Sequence, residues 1–262
     1  MKIGVDIGGT NIRIVAADDA QNGLLIGEVS FPNSENYELN IQKIRDEIDR
    51  FSTDISSIGI STPGTFNEDG SVMIRSTNMP QWVNQPSITS RLSEEFDCNI
   101  QKANDTACAA LGEAHNRKST SPFFYISYGT GISGAWVNYD DGVPHAERVT
   151  DEVQANHFHN WKDCSGANIE KEFSKPGDAI SKDEWNVIMN RLSNHLKVFM
   201  NEFVPAEVVF GGGIAHKQAD IIELMLQDFR VIHPEYAGHR FTFATLGEKS
   251  ALYGAIALLN KS

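Results

Sequence analysis

Apolar and polar residues follow one another along this chain in a pattern that predicts strands first and helices afterwards. Three strand-like runs, 2–7, 12–17 and 24–31, open the sequence. Over 37–51 the apolar residues recur near the 3.6-residue repeat, which predicts a helix. A strand at 57–61 follows and is closed by a Pro-Gly turn. Three strands followed by alternating helix and strand predict an α/β fold.

A second unit of the same kind is predicted to begin at Asn104, with a helix to about His115 and hairpin strands over 123–127 and 132–138. Residues 140–163 fit no repeat. The remaining predicted elements are helices over 87–96, 166–173, 182–202 and 250–259 and strands over 99–102, 207–210 and 240–244. The predicted domains are 1–103 with the C-terminal helix 249–262, and 104–248.

Two stretches of the sequence share one plan. "VDIGGTNIRIVAA" (5–17) and "ISYGTGISGAWVN" (126–138) both read as strand, glycine/threonine turn and strand. A duplicated fold with two facing turns of this kind would bind a ligand through backbone N–H groups on both sides. Clustered N–H groups bind anions, and phosphate is the anion expected here.

The composition argues against several classes of binding partner. The chain has 262 residues and a formal net charge of −13, with 35 acidic against 22 basic side chains. Such a surface repels nucleic acid and anionic membranes. No apolar run reaches the roughly 18 residues that a membrane-spanning helix needs. The three cysteines form no CxxC pair, so a disulfide framework or a zinc knuckle is not expected, and the sequence predicts a cytoplasmic protein.

The glycine turns have two interpretations. Gly8, Gly9 and Thr10 could form a plain hairpin turn. The carboxylate of Asp6, at the end of the preceding strand, would instead suit a magnesium ion that accompanies phosphate, held directly or through water. A second glycine turn at 129–131 favours phosphate binding, and the three glycines at 211–213 favour close approach of a flat or anionic ligand.

Asn104 and Asp105 begin the stretch "NDTACAALGEA" (104–114), where Asn104 is a plausible N-cap. Asp105 could simply favour the helix dipole. The same position would keep Asp105 ionised, so that it could accept a proton from an alcohol that attacks a phosphoryl group.

Two loops and one unassigned stretch carry further polar residues. "STPGTFN" (61–67) and "NMPQW" (78–82) could be plain loops or could contact a polar substrate. His157 and His159 have a spacing that can bind metal, although surface or sugar-contact histidines are the favoured interpretation.

In this order, the motifs resemble those of the ROK family of sugar kinases and repressors, within the actin–hexokinase–Hsp70 superfamily. The matching stretches are spread over nearly the whole length of the chain: "DIGGTNIR", "STPGTFN", "NMPQW", "NDTACAALGEA", "YGTGISGAWV", "VVFGGGIA" and "LGEKSALYGAIALL". The resemblance implies two RNase H-like (actin-like ATPase) domains with a central cleft. It also implies ATP and Mg²⁺ as cofactors, a sugar as substrate, and a homodimer as a candidate assembly.

The resemblance also implies roles for individual residues. The resemblance implies that Asp105 is the general base and that Asp6 holds Mg²⁺ through water. The implied sugar contacts are Gly64, Asn78, Asn104, Asp105, Glu152 and His157. The implied nucleotide contacts are Asp6, Gly8, Gly9, Thr10, Asn11, Gly129, Thr130, Gly131, Gly211, Gly212 and Gly213.

The sequence departs from the family pattern in one region. The family uses a Glu-x-x-His pair, but three residues after Glu152 this chain has Ala155. The family's cysteine-rich zinc motif is missing, so no structural zinc is expected. Zinc-free relatives carry an acid where Lys162 stands. The expected activity is ATP-dependent phosphorylation of a hexose hydroxyl, as in glucokinases and hexokinases. The alternatives are a catalytically silent sugar- or nucleotide-binding protein, a polyphosphate-dependent glucokinase, and a sugar-sensing repressor.

Overall fold

The chain forms two compact units, seen in a computed structural model. The structure describes residues 1–18, 24–52, 54–117, 120–175 and 179–260. Unit 1 comprises Met1–His115 and Lys249–Ser262, and unit 2 comprises Asn116–Glu248. The last two residues of the predicted C-terminal helix, 261 and 262, lie outside the described residues.

The described residues form strands and helices of ordinary length. The strands are β1 (Lys2–Ile7), β2 (Asn11–Asp18), β3 (Leu24–Pro32), β4 (Ser57–Thr62), β5 (Thr65–Phe66), β6 (Met73–Arg75), β7 (Asn99–Asn104), β8 (Phe123–Tyr128), β9 (Ile132–Asp140), β10 (Val143–Arg148), β11 (Glu207–Gly211) and β12 (Arg240–Phe243). The helices are α1 (Tyr37–Phe51), α2 (Ile88–Ser93), α3 (Asp105–Asn116), α4 (Asp151–Val153), α5 (Gly166–Phe173), α6 (Lys182–Phe203), α7 (Gly213–Lys217), α8 (Ala219–Ile232) and α9 (Ser250–Leu258). A π-helical turn, Gln154–Phe158, and a 3-10 turn, Asn160–Cys164, follow α4.

Unit 1 is built on a five-stranded sheet in the order β3-β2-β1-β4-β7. The first three strands are antiparallel, whereas β1, β4 and β7 run parallel. β5 and β6 form a separate two-stranded hairpin. The apolar side chains of β1, β4 and α1 are buried together and form the main core of this unit.

Unit 2 has a second five-stranded sheet, in the order β10-β9-β8-β11-β12. Its first three strands are antiparallel, and β8, β11 and β12 are parallel. The core of this unit is rich in aromatic residues contributed by β8, α6 and α8. The two sheets have the same strand order and directions, so the prediction of a duplicated hairpin is confirmed.

The predicted elements agree closely with the observed ones. The bounds of β1, α1 and α5 match the prediction residue for residue. The short elements β5, β6 and α4 were not predicted, and neither were two longer ones. The edge strand β10 lies in the stretch 140–163, and half of its residues, His145, Glu147 and Arg148, are polar or charged. Helix α8 buries Ile222, Met225, Leu226 and Phe229, which have a clear helical spacing that the sequence analysis did not use.

Helix α3 belongs to unit 1, whereas the sequence analysis placed it at the start of the second domain. Close packing against α9 explains the difference. A Cβ atom on Gly112 would lie 2.2 Å from the carbonyl oxygen of Ser250, and one on Gly254 would lie 1.7 Å from that of Cys108. Both glycines therefore allow α3 and α9 to approach backbone to backbone.

Candidate functional site

The parallel strands of unit 1 bring several predicted site residues to one edge of the sheet. Asp6 at the end of β1 pairs in register with Ser61 of β4. Thr62 pairs with Asn104 at the end of β7, and Asp105 follows directly. Ligands of open α/β sheets bind outside the carboxyl ends of the parallel strands. This edge is therefore the first candidate site.

Asp6 is a largely enclosed carboxylate with one strong neutral partner. The hydroxyl of Ser61 donates a hydrogen bond of 2.8 Å to its Oδ1 atom. Burial raises the pKa of Asp6 from 3.8 to about 6, and the Asp105 carboxylate adds to this, while Ser61 and Arg13 oppose it. A cation bound beside Asp6 would remove this penalty on the charged form, so the residue fits a magnesium site.

The start of α3 holds Asn104 and Asp105 in place. The backbone N–H of Thr106 donates to Oδ1 of Asn104 at 3.0 Å and to Oδ1 of Asp105 at 2.8 Å. The predicted role of Asn104 as N-cap is thereby confirmed. Since the charge of Asp105 acts on Asp6, the structure brings the predicted base and the predicted magnesium-binding acid together within unit 1.

The turn between β1 and β2 is fixed by hydrogen bonds from the chain around it. The N–H of Gly8 donates to the carbonyl of Asn11 at 2.9 Å. The Asn33 side-chain amide donates to the Gly8 carbonyl at 2.8 Å, and the Asn33 backbone N–H donates to the Thr10 carbonyl at 2.8 Å. Asn33 is a site-supporting residue that sequence reasoning missed, because only its position in the fold reveals it.

At Gly9 the neighbouring segment around Asn78 leaves no room for a side chain. A Cβ atom at Gly9 would lie 2.9 Å from the Cβ of Asn78 and 3.2 Å from its carbonyl oxygen. The segment "NMPQW" thus packs on the glycine turn, and Trp82 of the same segment donates its Nε1–H to Asn33 Oδ1 at 3.1 Å. The structure brings two predicted groups, Gly9 and Asn78, into direct contact.

Gly64 begins the β5–β6 hairpin with a φ of +101°, which strongly favours glycine. A Cβ atom there would lie 3.0 Å from the Arg75 carbonyl oxygen. The hairpin is held by Lys102, whose Nζ donates to the Gly70 carbonyl at 2.8 Å and lies 3.5 Å from the centre of the Phe66 ring. Sequence reasoning gave Lys102 no role.

Unit 2 carries the second glycine turn, between β8 and β9. The N–H of Gly129 donates to the Gly131 carbonyl at 2.9 Å. The first two residues of α5, Gly166 and Ala167, donate their N–H groups to the carbonyls of Gly129 and Thr130 at 2.9 and 3.1 Å. Helix α5 therefore fixes the position of this turn.

The three glycines at 211–213, which lead from the end of β11 into α7, lie beside that turn but differ from one another. A Cβ at Gly211 would lie 2.0 Å from the Tyr125 hydroxyl, and one at Gly212, whose φ is +91°, would lie 2.6 Å from the Tyr128 carbonyl oxygen. Among the described atoms, nothing lies within 4 Å of a Cβ at Gly213 or at Gly131. Folding within unit 2 thus explains Gly211 and Gly212, whereas Gly131 and Gly213 leave room for a ligand.

Unit 2 also contains two of the predicted sugar contacts, Glu152 and His157, which differ in exposure. Glu152 of α4 is exposed. His157 is buried, its Nε2 lies 3.1 Å from a carboxylate oxygen of Glu202, and its ring packs edge-on against Phe203 at 5.1 Å. The structure thus gives His157 a partner inside unit 2. A sugar-binding role for His157 stays a prediction.

A sequence comparison identifies the family. Residues 2–141 match the model of the ROK family. The chain belongs to the ROK family. Among curated relatives of this ROK protein is a fructokinase from Zymomonas mobilis, 23% identical, with 97% of this chain and 94% of the relative covered.

Solved structures share the ROK fold. A ROK family protein from Streptococcus pneumoniae in complex with sucrose has a TM-score of 0.78 at 21% identity, covering 98% of this chain and 96% of that one. A ROK hexokinase from Thermus thermophilus has a TM-score of 0.75 at 21% identity, covering 98% of both chains. A ROK family glucokinase from Streptomyces griseus in complex with glucose and AMPPNP has a TM-score of 0.70 at 18% identity, covering 100% and 99%. The predicted two-domain actin-like ATPase fold class is confirmed.

Within the described residues, no helix has both the length and the apolar character needed to cross a membrane.

Proposed function

We propose that this ROK protein transfers a phosphoryl group from ATP to a hydroxyl of a hexose. The observation that carries the proposal is the pair of carboxylates, Asp6 and Asp105, at the carboxyl ends of β1 and β7. Family membership supports it, as do the names of relatives that are hexokinases, glucokinases and fructokinases.

Asp105 is the proposed general base. It begins α3, where the positive end of the helix dipole favours a carboxylate. An ionised carboxylate in that position can accept the proton of a sugar hydroxyl as the hydroxyl attacks phosphorus. Because the transition state of phosphoryl transfer is loose, positioning supplies most of the acceleration and the base need not be strong. Asn104 and Gly64, in the same unit, are proposed sugar contacts.

Asp6 is the proposed magnesium-binding acid. Mg²⁺ keeps most of its waters and takes few carboxylates, which fits a single partly enclosed acid. Bound there, Mg²⁺ would neutralise charge on the phosphates. Ser61 holds the Asp6 carboxylate in one orientation through its 2.8 Å hydrogen bond.

The glycine segments are proposed to bind the nucleotide. In unit 2, a Cβ at Gly129 would lie 3.7 Å from the backbone nitrogen of Gly213, so the turn 129–131 and the segment 211–213 are neighbours. Gly131 and Gly213 have open space where a side chain would be. The N–H groups of Gly8 and Gly129 already donate within their own turns. The proposed phosphate donors are therefore other backbone N–H groups of these segments and of Gly9–Asn11 in unit 1.

A catalytically silent sugar-binding protein is the second candidate. It is favoured by Ala155, which occupies the family's histidine position, and by the contact of His157 with Glu202 inside unit 2. Polyphosphate as donor is a further variant of the kinase proposal.

A coupled assay of ADP release, run over hexoses, amino sugars and N-acetyl sugars with Mg-ATP, tests the proposal. We expect sugar-dependent ADP release with at least one hexose. Thermal stabilisation by a sugar without ADP release would favour the silent binder. Turnover with polyphosphate, but not with ATP, would mean that the protein transfers a phosphoryl group from polyphosphate to the sugar.

A further inference from the structure

Three side chains with metal-binding chemistry meet in unit 2, away from the glycine segments. Asp163, Cys164 and His195 each place one ligand atom within 4.8 Å of the other two. Nε2 of His195 lies 2.9 Å from Oδ1 of Asp163, and Sγ of Cys164 lies 3.3 Å from the same oxygen. The carboxylate oxygen is therefore the centre of the group.

Two elements supply these residues and hold them rigidly. Asp163 and Cys164 end the 3-10 turn Asn160–Cys164, and His195 lies on α6. The ring of Trp161, from the same turn, stacks on the His195 ring with a centroid distance of 5.9 Å. The imidazole is thus held in orientation by packing before any ligand binds.

The burial of the group suits a site with one open side. Cys164 is fully buried, whereas the side chains of Asp163 and His195 are 43% and 22% exposed. An ion bound by all three would rest on the buried sulfur and remain accessible to water opposite it. Three protein ligands and one water form a common four-coordinate arrangement.

We propose that Asp163, Cys164 and His195 bind a divalent transition-metal ion, with Zn²⁺ the expected one. Sulfur, imidazole nitrogen and carboxylate oxygen are the donors that zinc takes in proteins, and a mixed set of this kind disfavours Mg²⁺ and Ca²⁺. The ligand set is not the missing cysteine-rich motif, because it draws on a histidine of α6. It revises the expectation that this chain holds no structural zinc.

The positive charge of Arg191, close to the group, is balanced by a neighbouring acid. Arg191 lies on the same helix and donates to the Asp163 carbonyl at 3.4 Å. Its guanidinium forms two hydrogen bonds of 2.7 Å with the carboxylate of Glu172. Because this pair is close to neutral, it opposes a bound cation only weakly.

A bound ion would join the turn 160–164 to α6. Such a link would stabilise the segment that follows Glu152 and His157. The inference does not depend on the proposed kinase activity, and its test needs no turnover.

Metal titration of the full-length, metal-free protein tests the proposal. Zn²⁺ binding is measured by calorimetry, and Co²⁺ is used as a probe whose near-ultraviolet absorption reports a thiolate ligand. The test variants are Cys164→Ser and His195→Gln. The matched controls are Cys108→Ser, which removes another buried thiol, and His145→Gln, which alters another His–Asp pair, 3.3 Å from Asp140.

We expect one equivalent of Zn²⁺, a higher melting temperature with zinc, and a thiolate–Co²⁺ band. Each test variant should weaken Zn²⁺ binding by roughly 10–100-fold or more, and the controls should not. If Cys164→Ser fails to fold, His195→Gln carries the test. Absence of zinc uptake by the wild-type protein, or uptake unchanged in His195→Gln, would overturn the proposal.

Discussion

The two glycine turns occupy the same place in two sheets of the same strand order, yet they differ in chemistry. In unit 1 the strand before the turn carries Asp6, which pairs with Ser61 of the neighbouring parallel strand. In unit 2 the corresponding pair is Ser127 and Gly211. The first turn is packed against Asn78, whereas the space at Gly131 is open.

This difference shows how a duplicated hairpin can specialise. The backbone of each turn presents N–H groups, which suit an anion in either unit. In unit 1 the carboxylate of Asp6 lies at the end of the strand before the turn, and a second carboxylate, Asp105, begins α3 directly after β7. We infer that unit 1 carries the acid–base chemistry and the magnesium site of the proposed transfer, while the glycine segments of unit 2 serve binding alone.

Replacing Asp105 by Asn is the strongest test of that division. The variant keeps the size of the side chain but removes the proton acceptor, so we expect kcat to fall by about 10²–10⁴-fold. Sugar affinity, measured by calorimetry, should change only slightly. Asp46→Asn, on the exposed side of α1, is the matched control. Near-normal turnover in Asp105→Asn would mean that Asp105 of unit 1 is not the general base.

Two glycine substitutions in unit 2 separate folding from binding. Gly212→Ala places a methyl group against the backbone of Tyr128 at a positive φ, so we expect a loss of roughly 1–3 kcal/mol in the free energy of unfolding. Gly131→Ala meets open space and should leave unfolding unchanged, yet raise the KM for ATP about tenfold. Denaturant unfolding and steady-state kinetics measure the two effects. An unaltered KM in Gly131→Ala would contradict a nucleotide site at this turn.

Sequence patterns predicted most of this fold because the signals are local. The helical repeat of α1 and the strand–turn–strand pattern around Gly8 depend on neighbours in sequence. Other contacts join residues that are far apart in sequence, so local sequence patterns do not predict them. They are the packing of Asn78 on Gly9, the hydrogen bonds of Asn33 and the contacts of Lys102. The group of Asp163, Cys164 and His195 was missed for the same reason, since α6 is needed to complete it.

Asp6→Asn tests whether burial of the charged Asp6 carboxylate lowers the stability of the folded protein. Burial raises the pKa of Asp6 from 3.8 to about 6, so the folded state binds this proton more tightly than the unfolded state. The contribution of Asp6 to stability is therefore full below pH 3.8 and is lost as the pH rises through about 6. In metal-free protein, the variant should gain roughly 2 kcal/mol relative to wild type between pH 4 and pH 7.

Denaturant melts of metal-free protein at both pH values measure this gain. Ser61→Ala serves as a comparison, because it removes the 2.8 Å hydrogen bond that favours the charged form and should shift stability at pH 7 in the opposite direction. A difference between Asp6→Asn and wild type that is the same at both pH values would show that ionisation of Asp6 is not responsible.

Lys102→Met gives the smallest expected effect and tests the rest of the unit 1 edge. Methionine keeps the apolar stem but loses the hydrogen bond to Gly70 and the charge over Phe66. Burial lowers the pKa of Lys102, so part of what is lost is offset by relief of a desolvated charge. Because the β5–β6 hairpin starts at Gly64, we expect the sugar KM to rise about threefold, a change worth less than about 1 kcal/mol, and kcat to stay within about twofold.

The matched control for Lys102→Met is Lys43→Met. Lys43 also lies over a ring, that of Phe31, at 5.1 Å, but it is exposed on α1 and not on the strand β7 that carries Lys102. Equal changes in KM in the two variants would mean that general loss of charge, and not the position of the hairpin, alters sugar binding. A change confined to Lys102→Met would extend the specialised edge of unit 1 from its two carboxylates to the hairpin beside them.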